Sequence, residues 1–190
     1  MKIVLSITGA SGAIYGVRAL QVLHDLNVET HLVISEAAKL TLQYETEWSV
    51  EALRDIASEL YDNNQIGAAI ASGSFQTDAM IIIPCSMKTL ACVANGISDT
   101  LTARAADVML KERRKLILCP RETPLNAIHI KNMLTLCELG AYIIPPCPAF
   151  YNKPKSIDDI IDHHIMKITD ALGLEHPSPR RWDGNLGGQE

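Results

Sequence analysis

The sequence contains few aromatic residues and no long apolar run. Aromatic residues make up 5% of the 190-residue chain, whereas apolar residues make up 47%. The longest apolar segments, such as residues 80–85, are far shorter than the roughly 20 residues that a membrane-spanning helix requires. The N-terminal apolar run is also too short and too soon interrupted for a secretory signal peptide. We therefore expect neither a membrane protein nor a secreted one.

Blocks of positive charge and paired cysteines are also lacking. Lys and Arg number 17 against 22 Asp and Glu, a net charge of −5, which argues against nucleic acid or an anionic membrane surface as the main partner. No C-x-x-C motif occurs among the cysteines, which lie mostly in apolar segments: Cys85, Cys92, Cys119, Cys137 and Cys147. Buried free thiols in a reducing compartment explain this set best, so we expect a cytoplasmic protein.

What the sequence does contain is an alternation of strand-length apolar runs with segments of helical periodicity. Strands are predicted at residues 2–8, 29–35, 79–85, 115–120 and 142–146. Helices are predicted at residues 13–26, 37–43, 50–61, 87–95, 102–114, 125–139 and 156–172, with a loop at 62–73. This repetition predicts a Rossmann-like three-layer α/β/α sandwich with a mostly parallel sheet. We expect one α/β domain over residues 1–175 and a C-terminal tail over residues 176–190.

In such a sheet, ligands bind beyond the carboxyl ends of the strands, where the strand order switches. The first strand-end loop reads G-A-S-G, with Ser11 between Gly9 and Gly12, and it opens a helix. Free N–H groups at a helix start can hold a phosphate or the edge of a flavin or nicotinamide. The motif is neither a complete dinucleotide fingerprint nor a P-loop, but its position favours ligand binding over a merely structural turn.

The loop after the third predicted strand reads P-C-S-M-K-T over residues 84–89. It offers the hydroxyls of Ser86 and Thr89 and the ammonium of Lys88 at a helix start, a donor set that suits a monophosphate. An ordinary helix cap by Ser86 would give the same pattern. After the next strand, Arg121 and Glu122 form a pair in which the carboxylate is a candidate general acid or base.

Two other charged segments have simpler explanations. The basic run at residues 111–115 ends a predicted helix, where cations are favourable. The D-D-x-x-D pattern of residues 158–162 binds Mg²⁺–diphosphate in some all-helical enzymes, but here it follows Ser156 at a helix start. Acidic residues complement the dipole at that position, so we expect no metal site.

Taken together, these segments resemble the UbiX-type flavin prenyltransferases. The resemblance runs from about residue 2 to residue 182 and includes, in order, G-A-S-G at 9–12, Ser35, P-C-S-M-K-T at 84–89, R-A-A-D-V-M-L-K-E-R-R at 104–114, P-R-E-T-P at 120–124 and P-A-F-Y at 148–151. Within this family, the sequence most resembles the branch that is known as the B subunits of phenolic (hydroxyaryl) acid decarboxylases. The resemblance implies an FMN-binding domain over residues 1–175, with the fold of the homo-oligomeric flavin-containing Cys decarboxylase-like superfamily.

The resemblance also implies an activity, in which a dimethylallyl group passes from dimethylallyl monophosphate to N5 and C6 of reduced FMN. The product, prenylated FMN, would serve a UbiD-type decarboxylase, and the family needs no metal and forms dodecamers. The implied FMN contacts are Gly9, Ala10, Ser11, Ser35, Ser86, Met87, Lys88, Thr89 and Arg121. The implied ligands of the dimethylallyl phosphate are Tyr151, Lys167, Lys111 and Trp182, and the implied catalytic residues, some reaching a neighbouring subunit, are Ser11, Glu45, Arg104, Lys111 and Glu122.

The residue types suit this chemistry, because fixed cations such as Lys111, Arg121 and Lys167 can stabilise the departing phosphate. Three alternatives remain open. A flavin-dependent cysteine decarboxylase of the same superfamily would carry a P-x-M-N-x-x-M-W motif, whereas residues 124–130 read P-L-N-A-I-H-I. A non-catalytic FMN-binding subunit and a phosphate-binding α/β module without flavin are the other two.

Overall fold

The structure, a computed structural model, describes residues 1–177 and residue 181. Six strands form one sheet: β1 (Lys2–Ile7), β2 (Glu29–Ile34), β3 (Glu59–Asp62), β4 (Ala79–Cys85), β5 (Lys115–Pro120) and β6 (Tyr142–Ile143). Their order is β3-β2-β1-β4-β5-β6, and every pair is parallel. β2 and β3 lie on one side of β1, whereas β4, β5 and β6 lie on the other side. The switch in strand order therefore falls between β1 and β4, at the carboxyl ends of these two strands.

Within the described residues, seven α-helices connect or cover the strands: α1 (Ala13–Asp25), α2 (Glu36–Glu45), α3 (Val50–Ile56), α4 (Met87–Ala94), α5 (Leu101–Lys111), α6 (Ala127–Glu138) and α7 (Ile157–Leu172). Alternate side chains of β1 pack into two separate cores. Ile3 and Leu5 face α1 and α7, whereas Val4 belongs to the core formed with α4 and α5. Helices thus cover both faces of the sheet, which confirms the predicted three-layer α/β/α fold.

Several boundaries differ from the prediction, and two of the differences have a clear physical reason. The helix predicted over residues 50–61 ends at Ile56, and β3 follows it. β3 pairs with β2 alone and none of its residues is buried, so it lacks the apolar run that marks the central strands. The strand predicted at residues 142–146 shortens to two residues, because the prolines at 145 and 146 cannot donate to the ladder.

The burial of two of the five cysteines also differs from the prediction. Cys85, Cys92 and Cys119 are buried free thiols, as expected, but Cys137 and Cys147 are exposed. Both exposed thiols lie outside the sheet, on α6 and in the loop after β6. Among the described helices, none is long and apolar enough to cross a bilayer.

Candidate active site

The loops after β1 and β4 are joined by the buried side chain of Thr8. Its hydroxyl donates to the carbonyl oxygen of Pro84 at 2.7 Å and accepts from the backbone N–H of Ser86 at 2.8 Å. Another hydrogen bond runs from the N–H of Ser35 to the carbonyl of Ile7, at 3.1 Å. The ends of β1, β2 and β4 are therefore held together at the switch point.

The loop after β5 reaches the same place through Arg121. Its backbone N–H donates to the carbonyl of Cys85 at 3.2 Å, and its Nε donates to the carbonyl of Ser11 at 3.0 Å. The half-buried guanidinium therefore lies beside the G-A-S-G loop. Ser11 and Arg121, which are 110 residues apart in the chain, meet as the strand-end rule predicts.

Gly9 allows this loop to pass close to α2. A Cβ atom built on Gly9 would lie 2.3 Å from the Cβ of Ala37, in the first turn of α2. Gly12 has a φ of 99°, in the left-handed region that glycine tolerates. Gly9 is therefore needed for the close approach to α2, whereas Gly12 is needed for its left-handed backbone conformation.

The start of α1 already holds an anion, and it is the carboxylate of Glu45. Its Oε2 accepts from the N–H groups of Gly12 and Ala13 at 2.7 and 2.9 Å. Burial raises the pKa of Glu45, but hydrogen bonds from Ser11, Ala13 and Gly12 outweigh this effect, so the pKa is lowered. The N–H groups that the sequence offers to a phosphate or a flavin edge are thus engaged by the chain's own carboxylate.

Two other helix starts lie at the same edge of the sheet. The Ser86 hydroxyl accepts from the N–H of Thr89 at 3.2 Å and donates to the Thr89 hydroxyl at 3.0 Å. Ser35 caps α2 in the same way, accepting from Ala38 at 3.2 Å. The cap by Ser86 is therefore real, and it also holds Ser86 and Thr89 beside the first N–H groups of α4. A phosphate can take such donors in addition to the cap.

Tyr151 contacts α7, the helix that packs against α1. Its hydroxyl oxygen lies 2.6 Å from Nε2 of His163, and the neighbouring His164 contacts the ring of Tyr15 edge-on at 5.1 Å. Tyr15 follows Gly12 in the first turn of α1. Lys167 lies one turn beyond His163 and acts electrostatically on it. Tyr151 and Lys167 thus both lie beside His163 on α7.

Arg104 and Lys111 do not reach this cluster within one chain. Arg104 binds the carbonyl of Ala71 at 3.2 Å and the carboxylate of Asp107 at 2.7 Å. Lys111 ends α5 just before β5 begins and pairs with Glu112. It lies near the amino edge of the sheet, whereas Ser11 lies at the carboxyl edge. Parallel strands of six residues separate these edges by about 20 Å.

The remaining predicted residues differ in exposure, and one of them lies outside the described part. Ala10 is buried in the first loop, and Met87 opens α4. Lys88 is exposed and lies 3.7 Å from Asp99. Glu122 is exposed, and its carboxylate accepts from the N–H of Thr123 at 3.0 Å. Trp182 lies outside the described residues.

The acidic run at the start of α7 has a structural role. Ser156 and Asp159 form a capping box, with the Ser156 hydroxyl accepting from the Asp159 N–H and the carboxylate accepting from the Ser156 N–H. Asp162 pairs with Arg18 of α1 at 2.6 Å. No group of three or more potential metal ligands occurs within residues 1–177 and 181.

Sequence reasoning missed three contributors to the site: Thr8, His163 and the carboxylate of Glu45 as the cap of α1. Thr8 had a local signal, since it directly precedes the G-A-S-G loop at a strand end. The other two depend on contacts between segments 12 and 33 residues apart, which no local pattern reveals.

An α/β fold with this strand order and a donor-lined switch point defines the class of nucleotide- and flavin-binding proteins. A family model described as Flavoprotein matches residues 1–169. The flavin prenyltransferase LpdB of Lactiplantibacillus plantarum is 53% identical over 97% of this chain and 99% of its own length. The chain belongs to the UbiX-type flavin prenyltransferases, a family of flavoproteins.

Solved structures agree with this assignment. A dodecameric FMN-dependent UbiX-like decarboxylase from Escherichia coli O157:H7 has a TM-score of 0.95 at 51% identity, covering 97% of this chain and 100% of its own. AnUbiX in complex with FMN and dimethylallyl pyrophosphate also has a TM-score of 0.95, at 48% identity, covering 96% of this chain and 97% of its own.

Proposed function

We propose that this protein transfers a dimethylallyl group from dimethylallyl monophosphate to N5 and C6 of reduced FMN. The observation that carries the proposal is the contact of Arg121 with the Ser11 loop at the switch point. Tyr151 and Lys167, the proposed phosphate ligands, both lie beside His163 of α7, the helix that packs against α1. The chain then carries both a candidate flavin-binding loop and a separate candidate set of phosphate ligands. Relatives about 50% identical over nearly the whole chain carry the name flavin prenyltransferase, which favours this function over a cysteine decarboxylase or a carrier subunit.

The residues at the carboxyl edge fit FMN by the chemistry of their donors. Ser86, Met87, Lys88 and Thr89 surround the start of α4, where backbone N–H groups and hydroxyls suit a phosphate monoester. Ser35 lies at the start of α2, and the loop of Gly9 and Ala10 passes directly beside it at the end of β1. When bound, reduced FMN supplies the electron-rich carbon and nitrogen that accept the dimethylallyl group.

The second anion is assigned to Arg121, Tyr151 and Lys167. As the allylic carbon–oxygen bond breaks, negative charge collects on the phosphate, and fixed cations stabilise it more than they stabilise the bound substrate. Lys167 offers a single ammonium where an arginine would offer a planar fork, so its contact is charged but not bidentate. The ring of Tyr151 can also shield developing positive charge on the allylic carbon.

Two carboxylates can handle protons in this reaction. The lowered pKa of Glu45 keeps this carboxylate ionised near neutral pH, so it acts as an acceptor beside Ser11. Glu122 is next to Arg121 and is exposed, and it is the candidate for taking the proton lost from the flavin or for delivering one to the phosphate.

The site is completed by other copies of the chain. Lys111 cannot reach Ser11 within one protomer, and α6 exposes apolar side chains that suit a subunit contact: Ile128, Ile130 and Leu134. Since the Escherichia coli O157:H7 relative is dodecameric, we assign the same assembly here, with Arg104 and Lys111 supplied to a neighbour's site and Trp182 as a further ligand. A UbiD-type decarboxylase in the cytoplasm is the proposed recipient of the product.

Mass spectrometry of the flavin tests the proposal directly. Purified protein incubated anaerobically with reduced FMN and dimethylallyl monophosphate should yield flavin heavier by one prenyl unit. The matched control is the Tyr151→Phe, Lys167→Ala double variant, which leaves the proposed FMN contacts in place and is compared at the same FMN loading. An unchanged flavin mass in FMN-loaded wild-type protein would remove the transferase assignment.

A further inference from the structure

The hydroxyl of Tyr151 lies within hydrogen-bond distance of the side chain of His163. The distance from Tyr151 Oη to His163 Nε2 is 2.6 Å, and the two rings meet edge-on with centroids 5.4 Å apart. Tyr151 lies in the irregular segment after β6 and is 46% exposed, so burial alone does not fix its ring. His163 is 9% exposed and belongs to α7, most of whose residues on this side are buried. The hydrogen bond therefore ties a loop side chain to a rigid element.

The surroundings of His163 favour a neutral imidazole. Burial lowers its pKa, and the nearby ammonium of Lys167 lowers it further. A neutral imidazole carries one N–H, so Nε2 can either accept the tyrosine proton or donate to the tyrosine oxygen. The tyrosine hydroxyl has one proton and two lone pairs, so it can either donate to Nε2 or accept from it.

An anionic ligand decides between these directions. A phosphate oxygen needs donors, and Lys167 already presents a cation on the same helix. If Tyr151 donates its proton to the phosphate, its oxygen becomes the natural acceptor for an N–H of His163. Two hydrogen bonds in series polarise each other, so the tyrosine becomes a stronger donor than it would be alone.

We propose that His163 is the positioning residue for Tyr151, donating from Nε2 to the hydroxyl oxygen so that the hydroxyl proton is directed to the phosphate of dimethylallyl monophosphate. This inference rests on the proposed function only in taking Tyr151 as a ligand of that phosphate. His163 itself acts through Tyr151 and contacts no reacting atom.

A matched pair of substitutions tests it. In His163→Gln the amide nitrogen reaches about the position of Nε2, whereas in His163→Asn the side chain is one methylene shorter and does not reach it. We expect His163→Asn to raise the KM for dimethylallyl monophosphate about fivefold, the size of one hydrogen bond. Because negative charge grows on the phosphate in the transition state, kcat should fall as well, whereas the Kd for FMN should change by less than about twofold. His163→Gln should restore the KM to within about twofold of wild type.

A double-mutant cycle with Tyr151→Phe separates positioning from general support of the fold. With the hydroxyl absent, His163→Asn should leave the KM for dimethylallyl monophosphate unchanged. An equal rise in KM in both backgrounds, or no rise in either, would overturn the inference while leaving the transferase function intact. If wild-type protein produces no prenylated flavin, the proposed function fails first and this inference fails with it.

Discussion

At the scale of single residues, the site depends on contacts too close to tolerate an added methyl group. The nearest atom to a Cβ built on Gly9 is the Cβ of Ala37, at 2.3 Å, well below any ordinary carbon–carbon contact. The β1 loop and the first turn of α2 must therefore separate in order to admit a side chain. Such a separation moves the backbone that precedes Ser11.

We predict that Gly9→Ala lowers the free energy of unfolding by about 1–3 kcal/mol, the usual cost of overpacking. Urea denaturation followed by circular dichroism measures this change. Gly67→Ala is the matched control, because a Cβ at that position meets no atom within 4 Å. Equal denaturation midpoints for the two variants would show that the loop yields without strain.

Residue-level prediction works where the signal is local. The caps by Ser86 and Ser156 are confirmed, since each cap bonds to an N–H three residues along the same chain. The contact of Glu45 with Gly12 joins the end of one helix to the start of another, and it depends on how α2 packs against α1. Side-chain partners of this kind are set by tertiary packing, which periodicity does not encode.

At the scale of elements, α1 shows how one helix stabilises the start of another. The carboxylate of Glu45, the last residue of α2, takes two N–H groups that α1 leaves unsatisfied. Its charge also opposes the positive end of the α1 dipole. The two elements are thus coupled at the loop that carries Ser11.

We predict that Glu45→Gln destabilises the protein by about 0.5 kcal/mol at pH 7, a small value because the side chain is exposed and its charge is screened. The folded-state pKa of Glu45 is lowered, so its contribution is present above the ordinary carboxyl pKa and is lost as pH falls. Wild type and variant should therefore converge in thermal midpoint in acid. Glu47→Gln, at an exposed position of the adjoining turn, is the control and should show no such convergence.

Element prediction failed where burial was incomplete. The central strands β1, β4 and β5 are confirmed from their apolar runs, but β3 lies at the sheet edge and none of its four residues is buried. An edge strand is defined by its neighbour's unpaired backbone groups, here those of β2, more than by its own composition. For this reason, the sequence pattern predicts these residues as the end of the preceding helix.

At the scale of the whole molecule, the parallel sheet explains why the fold was predictable and the complete site was not. Alternating strands and helices leave few topologies, and the switch point follows from the strand order. By the same geometry, Lys111 lies at the edge opposite Ser11, so a site that uses both needs more than one chain. Spacing along the sequence cannot distinguish a partner's residue from the chain's own.

The stability of the whole chain should also depend on pH through His164. This imidazole is buried against Tyr15 and adjoins His163, and within the described residues its buried Nε2 has no hydrogen-bond partner. Burial, with a smaller effect of His163, lowers the pKa of His164 from 6.5 to about 4. The folded protein therefore holds the ring neutral over a range in which the unfolded chain protonates it.

Because the folded-state pKa is depressed, this stabilisation is complete above pH 6.5 and is lost as pH falls towards 4. A shift of this size corresponds to a loss of up to about 3 kcal/mol. We predict that His164→Leu flattens the fall in unfolding free energy between pH 7 and pH 4.5, as measured by urea denaturation at each pH. His24→Gln, at an exposed position on α1, should retain the wild-type slope. Identical slopes for His164→Leu and wild type would mean that folding does not lower the pKa of His164.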